Sequence, residues 1–319
     1  MSSELSRLSR AQAVEKFRPG VPALDSVALS DLEDQLRRDA IAKINLPIDK
    51  SAFQDLSDQY GVCIDEHGAL LNWTAGSFNK DGVPEDGHVQ KELEFNPAGM
   101  QISDPKNLFH FNGTLLNKWN NESTLAMPRD FREFMDRGIE LRHELTNSAR
   151  MLIDELDGSY RGIRELTFPG ELGSTTLRLL RYDGYDTHDS EGKLVVEQDA
   201  QVAKPHYDRG LMTIQAYSSA PGFWRQQEGN RGPGKPKEYP PHGVGESQVF
   251  FGTGFRVIYG RDSPIQRLYH GVDRIFDESA SYIPPRTAAI LFVDPPLVNL
   301  EIKSTDTQPD RVDQENLNV

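Results

Sequence analysis

The chain has 319 residues, 37% apolar and 26% charged, with a formal net charge of -14. That composition suits a globular protein with ample core, and its acidity argues against nucleic acid or anionic membrane as general partners, which need basic surface. A single cysteine, Cys63, excludes an internal disulfide framework, and with no apolar leader or membrane-length run the cytoplasm is the default compartment.

In chain order, the first predicted element is a helix capped by Ser30, with Glu33 as its capping-box partner, running through Leu32, Leu36, Ile41 and Ile44. A second helix is expected from Ser51 to Gln59, then a short buried strand at Gly61-Val62-Cys63-Ile64. From Ala69 to Ala126, Gly, Asn, Asp and Pro break every period. Trp73, Phe78, Phe95, Phe109, Phe111, Leu115 and Trp119 are nevertheless embedded there, so the segment reads as an irregular layer over the core or one wall of a pocket. The longest helix follows, with Pro128 at its start and Phe131, Phe134, Met135, Ile139, Leu145, Ala149, Leu152, Ile153 and Leu156 along one face. Gly158 suits its stop, Gly138 costs it about 1 kcal/mol against Ala, and His143 reads as a surface or half-exposed residue.

After Glu171 the pattern changes to short strands: Thr175–Tyr182, Lys193–Val196, Leu211–Tyr217, Gln248–Phe251, Phe255–Tyr259, Arg267–Gly271, Thr287–Val293 and Val298–Ile302. Nothing between them has room for the crossover helices of a parallel sheet, so the fold class is α+β, mainly β, with a jelly-roll barrel flanked by N-terminal helices and the long scaffold helix. The expected organisation is a single domain over 1–319: a mostly helical or irregular part at 1–170, a jelly-roll core at 171–305 and a polar tail at 306–319. The long amphipathic helix needs a sheet face to bury against, which favours one domain over two.

The chemistry centres on His206-Tyr207-Asp208, followed by His270 and Arg286. On a strand or strand end, residues i and i+2 point to one side, so His206 and Asp208 can reach one metal while Tyr207 faces away. Two imidazoles and a carboxylate can cap one face of an octahedral ion and leave three adjacent positions open. Alone the pair is weak: one such triplet arises by chance roughly half the time in a chain with this many His and Asp. The order downstream adds the weight.

A strand ending in Tyr182, then His206-x-Asp208-x-Gly210-x-x-Thr213, Gly252-x-Gly254, His270, and Arg286 ahead of Phe292-x-Asp294-Pro295-Pro296 resembles the 2-oxoglutarate/Fe(II)-dependent dioxygenases. The branch it looks most like holds isopenicillin N synthase, flavonoid and gibberellin oxidases and the ethylene-forming oxidase. Val21-Pro22-Ala23-Leu24-Asp25 and Tyr60-Gly61-Val62 are similar to that branch's N-terminal region. The resemblance implies that His206, Asp208 and His270 hold Fe(II), that Arg286 grips the distal carboxylate of 2-oxoglutarate, and that Tyr182 hydrogen-bonds it. The planar fork of Arg suits that grip independently, since it pairs with a carboxylate through two parallel bonds. It also implies O2-dependent decarboxylation of 2-oxoglutarate to succinate and carbon dioxide, coupled to hydroxylation, desaturation or ring closure of a small organic molecule. Halogenating relatives lack the carboxylate that Asp208 supplies.

Two positions depart from the family pattern. Its Arg-x-Ser reads Arg286-Thr287-Ala288 here, and its Asn two positions before the tyrosine is Leu180. Losing one hydroxyl costs about 1 kcal/mol if no unpaired partner is left. Both changes touch the cosubstrate seat rather than the metal, so an iron oxidase that does not use 2-oxoglutarate remains an alternative. A non-catalytic small-molecule-binding jelly roll is another, and a cupin-type isomerase or lyase a third. His67, His88, His110, His188 and His242 have no partner at ligand spacing along the chain. Pro221–Gly245, with Phe223 and Trp224 at its start, reads as a solvated insertion, with a lid over the site as the alternative.

Overall fold

A computed structural model of the chain describes residues 31–75, 86–91, 94–95, 101–103, 106–121, 126–168, 174–188, 190–191, 201–226, 231–232, 234–240, 245–273, 275 and 280–294. The Val21–Asp25 segment, the Ser30 cap, His242, the strands expected at 193–196 and 298–302, Pro295-Pro296 and the tail lie outside those residues.

The N-terminal part begins with helix α1 (Leu32–Asp39) and strand β1 (Ile41–Ile44). The helix expected to reach Ile44 ends early because Ala40 turns left-handed, at φ 56°. Residues 41–44 then pair antiparallel with Ser247–Phe250. Helix α2 spans Ser51–Glu66, so the strand expected at Gly61–Ile64 is helical. Phe53, Leu56, Tyr60 and Cys63 are all buried at helical spacing. Gly61 sits inside that helix because a Cβ there would lie 3.1 Å from the Arg181 guanidinium. Its role is close packing.

The stretch expected to be irregular carries regular elements. They are α3 (Gly68–Thr74), β2 (Gly87–Lys91), β3 (Glu94–Phe95), β4 (Gln101–Ser103), β5 (Lys106–Phe111) and α4 (Gly113–Asn121). Helix α5 (Arg129–Leu156) is the scaffold helix, followed by α6 (Ile163–Thr167). Gly138 lies where a Cβ would come within 2.1 Å of the Phe111 ring, so α5 accepts a poor helix former to let an aromatic approach.

The strands of the second half are β6 (Ser174–Tyr182), β7 (Tyr185–Asp186), β8 (Gln201–Tyr207), β9 (Met212–Ser218), β10 (Phe223–Gln226), β11 (Ser247–Phe251), β12 (Tyr269–Asp273), β13 (Tyr282–Ile283) and β14 (Arg286–Asp294). The strand expected at Phe255–Tyr259 is instead helix α7 (Thr253–Tyr259). Phe255 and Tyr259, one helical turn apart, both pack against Tyr160. Part of the presumed insertion is also structured, since β10 pairs with β12.

Two sheets face each other. The larger runs β1-β11-β9-β14-β6-β5-β2 and the smaller β10-β12-β8, with antiparallel pairing between neighbouring strands. This is the jelly-roll architecture, with the two sheets left open rather than closed into one ring. The outer face of the large sheet (Leu177, Leu179, Ile214, Leu291, Val293) forms one core with α2 and α5. At about 1.5–3 kcal/mol per fully buried large apolar side chain, that core anchors the sheet. The inner face is thereby free to carry polar groups.

Candidate functional site

Pairing explains how residues 64 positions apart meet. Strands β8 and β12 run antiparallel, and His206 lies directly across from His270. Their rings stand 4.6 Å apart between centroids. Asp208 follows the end of β8. Its Oδ1 is 3.3 Å from His206 Nε2 and 4.0 Å from His270 Nε2. One donor atom from each of the three residues falls within 4.8 Å of the others, the span a single ion requires.

The surrounding bonds aim those atoms. His206 Nδ1 lies 2.7 Å from the Lys204 carbonyl and His270 Nδ1 lies 3.2 Å from the Leu268 carbonyl. Each ring thus spends Nδ1–H on the backbone and turns Nε2 inward as a lone-pair donor, the usual support for a ligating histidine. Thr213 donates to Asp208 Oδ2 at 2.6 Å and leaves Oδ1 facing the imidazoles. Asp208 and His270 are buried, whereas His206 is exposed, so the site opens on the His206 side.

Electrostatics suit a cation. Burial would raise the Asp208 carboxyl, but the charges of His270 and His206 and the Thr213 hydrogen bond hold it well below the carboxylate range. Burial pushes the His270 imidazole down to about 4, against the pull of Asp208, which keeps it neutral and able to ligate. Desolvation would lower His206 as well, yet the hydrogen bond and charge of Asp208 raise it. A buried anion beside two aimed nitrogens is a donor set that fits Fe(II).

The loop carrying Asp208 is held by main chain. Thr253 N donates to the Asp208 carbonyl at 2.8 Å, Gly254 N to the Gly210 carbonyl at 3.0 Å, and Gly252 N to the Leu211 carbonyl at 3.0 Å. A Cβ on Gly252 would lie 2.5 Å from the Gly210 oxygen, and one on Gly254 would lie 3.0 Å from it. Gly252-x-Gly254 is therefore a close-approach motif that clamps the Asp208 loop.

Further along the inner face, Arg286 sits across from Tyr182, which is buried. Arg286 Nη2 donates to Ser218 Oγ at 3.1 Å, and Ser218 Oγ donates to the Ala220 carbonyl at 2.8 Å. Among the described residues, Arg286 Nε and Nη1 are buried with no hydrogen-bond partner. Buried donors of a cation left unpaired are costly, so the seat is built for an anion. Thr287 points to the other face, where its hydroxyl meets Ser57 at 2.7 Å. Ser218 and Leu180 flank Ala288 on the two neighbouring strands. Sequence reasoning missed Ser218 because its relation to Ala288 exists only across the ladder.

Three of the other histidines have side-chain partners. His88 lies 2.8 Å from the Tyr60 hydroxyl, and His110 accepts from Arg178 Nε at 2.9 Å. His67 binds Asp130 at 2.7 Å with Glu66 nearby, a convergence that spacing along the chain hid.

No family model matches the chain, and no curated protein matches it. Solved structures do. One is a 2OG-Fe(II) oxygenase family protein from Caulobacter crescentus, with TM-score 0.59 and 16% identity, covering 84% of this chain and 81% of that one. Another is a full-length Neurospora crassa protein in complex with alpha-KG, with TM-score 0.61 and 15% identity over 86% and 82%. A third is JOX2 in complex with 2OG, Fe and JA, with TM-score 0.54 and 17% identity over 84% and 71%. The chain has the fold of the 2-oxoglutarate/Fe(II) oxygenases. These matches do not separate out the isopenicillin N synthase-like branch.

Proposed function

We propose that the protein is a non-haem iron oxygenase that couples decarboxylation of 2-oxoglutarate to oxidation of a small organic molecule by O2. His206, Asp208 and His270 would hold Fe(II). Arg286, with Tyr182 beside it, would seat the distal carboxylate of 2-oxoglutarate. The observation that carries this reading is a convergent His-Asp-His set on the smaller sheet together with a guanidinium on the larger sheet whose buried Nε and Nη1 lack partners among the described residues.

Bound iron with 2-oxoglutarate would supply the oxidising chemistry; the chain supplies placement and exclusion of water. Thr213 fixes the Asp208 carboxylate, and the two backbone carbonyls fix the imidazoles. Val202, Leu180, Ala288 and Tyr182 line the inner face with buried, mostly apolar surface that keeps water from the reacting groups. Ser218 offers the hydroxyl that Ala288 lacks, from the adjacent strand, so Arg286-Thr287-Ala288 is compatible with 2-oxoglutarate. The helical layer and the jelly roll share one core, which supports a single domain. No described helix is long and apolar enough to cross a membrane.

The test is the visible spectrum of anaerobic protein with Fe(II) and 2-oxoglutarate. A weak metal-to-ligand charge-transfer band, absent in His206→Ala and weakened in Arg286→Ala, is expected. Iron binding without the band would favour an oxidase that uses another reductant. No iron binding would overturn the proposal.

A further inference from the structure

Arg178 belongs to the inner face of β6 with Leu180 and Tyr182, whereas Leu177 and Leu179 turn to the helices. Its guanidinium stacks 4.5 Å over the Phe292 ring. Phe292 is the cross-strand neighbour of Thr213, the residue that bonds Asp208. Arg178 thus sits at the metal end of the cavity, away from Arg286 and Tyr182 at the other end of the same strand pair.

Only one of its donors is committed. Nε donates to His110 Nε2 at 2.9 Å, and His110 is the cross-strand partner on β5. Accepting that bond requires a lone pair on His110 Nε2, so the histidine fixes the plane of the guanidinium. Among the described residues, neither terminal amine of Arg178 has a hydrogen-bond or ion-pair partner. Asp208 and Asp294 act on it through space, neither within ion-pair distance. The side chain is half-buried, so its amines open on the cavity instead of being sealed.

The two carboxylates offset its charge only from beyond ion-pair distance. Lys106 lies over the Tyr182 ring and adds to the positive side of the cavity. Iron would add more, and 2-oxoglutarate would be taken up by the metal and Arg286. That leaves Arg178 as a fixed, half-desolvated cation with a free two-pronged face. Guanidinium pairs best with a carboxylate through two parallel bonds, and the surface around it (Phe292, Ile290, Leu180, Val272) is apolar.

We propose that Arg178, braced by His110, binds the carboxylate of the oxidised substrate, so that this enzyme acts on apolar monocarboxylic acids. The inference rests on the oxygenase reading and adds the substrate class. Arg178 is a binding residue; His110 is a positioning residue that acts through it.

The probes are straight-chain monocarboxylates from butyrate to decanoate and phenylacetate, each against its primary amide. Binding is measured by calorimetry on the metal-free protein, and by perturbation of the Fe(II)–2-oxoglutarate band. Acids are expected to bind about tenfold or more tightly than their amides, the scale of one hydrogen bond to a charged group. Arg178→Gln should abolish that preference while leaving the band and 2-oxoglutarate affinity as in the parent. Arg178→Lys should keep part of the preference, which separates lost recognition from lost folding. Equal binding of acids and amides, no binding of either, or an unchanged preference in Arg178→Gln would overturn the assignment. A wild-type protein that binds no Fe(II) yet still prefers acids by calorimetry would overturn the oxygenase reading and leave the Arg178 site standing.

Discussion

The two faces of strand β14 differ more than any two separate elements. Thr287, Ala289, Leu291 and Val293 turn outward and are buried, the last three in the helical core. Arg286, Ala288, Ile290, Phe292 and Asp294 turn inward. That side carries a cation with unpaired donors at one end and, at the other, a half-buried carboxyl that desolvation raises above its ordinary value. One face is satisfied and the other is waiting. A period-two strand thus lets a single run of residues hold a fold together on one side and leave charge uncompensated for a ligand on the other.

This contrast can be broken from either side. At the metal, the response should be lost outright: Asp208→Ala should abolish the stabilisation that Co(II) gives the parent, about 2.7 kcal/mol when metal is at a hundredfold excess over its dissociation constant, read as loss of the metal-induced rise in melting temperature. Next comes the outer face, where Leu291→Ala should destabilise by about 2–5 kcal/mol in denaturant melts while the folded protein still shows the charge-transfer band. Arg286→Leu should do the reverse, weakening 2-oxoglutarate binding by a factor on the order of a hundred, the low-to-middle range for truncating a buried charge partner. Its thermal stability should stay level or rise, because an uncompensated buried cation is removed.

Two smaller effects sharpen the picture. Gly138→Ala should destabilise by about 1–3 kcal/mol through overpacking against Phe111, opposite in sign to what helix propensity alone predicts, and a thermal melt decides it. Ser218→Ala should weaken 2-oxoglutarate binding several-fold, about 1 kcal/mol, with iron affinity unchanged in a metal titration.

What could be read from the chain follows from the range of the interactions. The scaffold helix was legible from its one-faced period, and β6, β9, β11 and β14 as short runs rich in apolar and β-branched residues between turn signals. His206, Asp208, His270 and Arg286 were legible because residue type and order carried them. What stayed hidden was non-local. Ile41–Ile44 looks like more helix until Ser247–Phe250 offers it a sheet edge. Gly61 and Gly138 look like interruptions until the side chains that fill their missing Cβ space, Arg181 and Phe111, arrive from other strands. Phe255–Tyr259 is too short and apolar for alternation to be told from a helical period. Arg178 and Ser218 look like ordinary strand residues until the ladder places them opposite His110 and Ala288.

The glycine clamp on the Asp208 loop has an evolutionary corollary. Its hydrogen bonds join main chain to main chain, so the path of the loop is set by backbone, and Thr213 then orients the carboxylate. Other inward-facing residues are then free to change without moving Asp208, whereas any residue larger than glycine at 252 would dislodge it at once. The centre is insulated from drift in its surroundings, and new specificities can be sampled around a fixed point of chemistry.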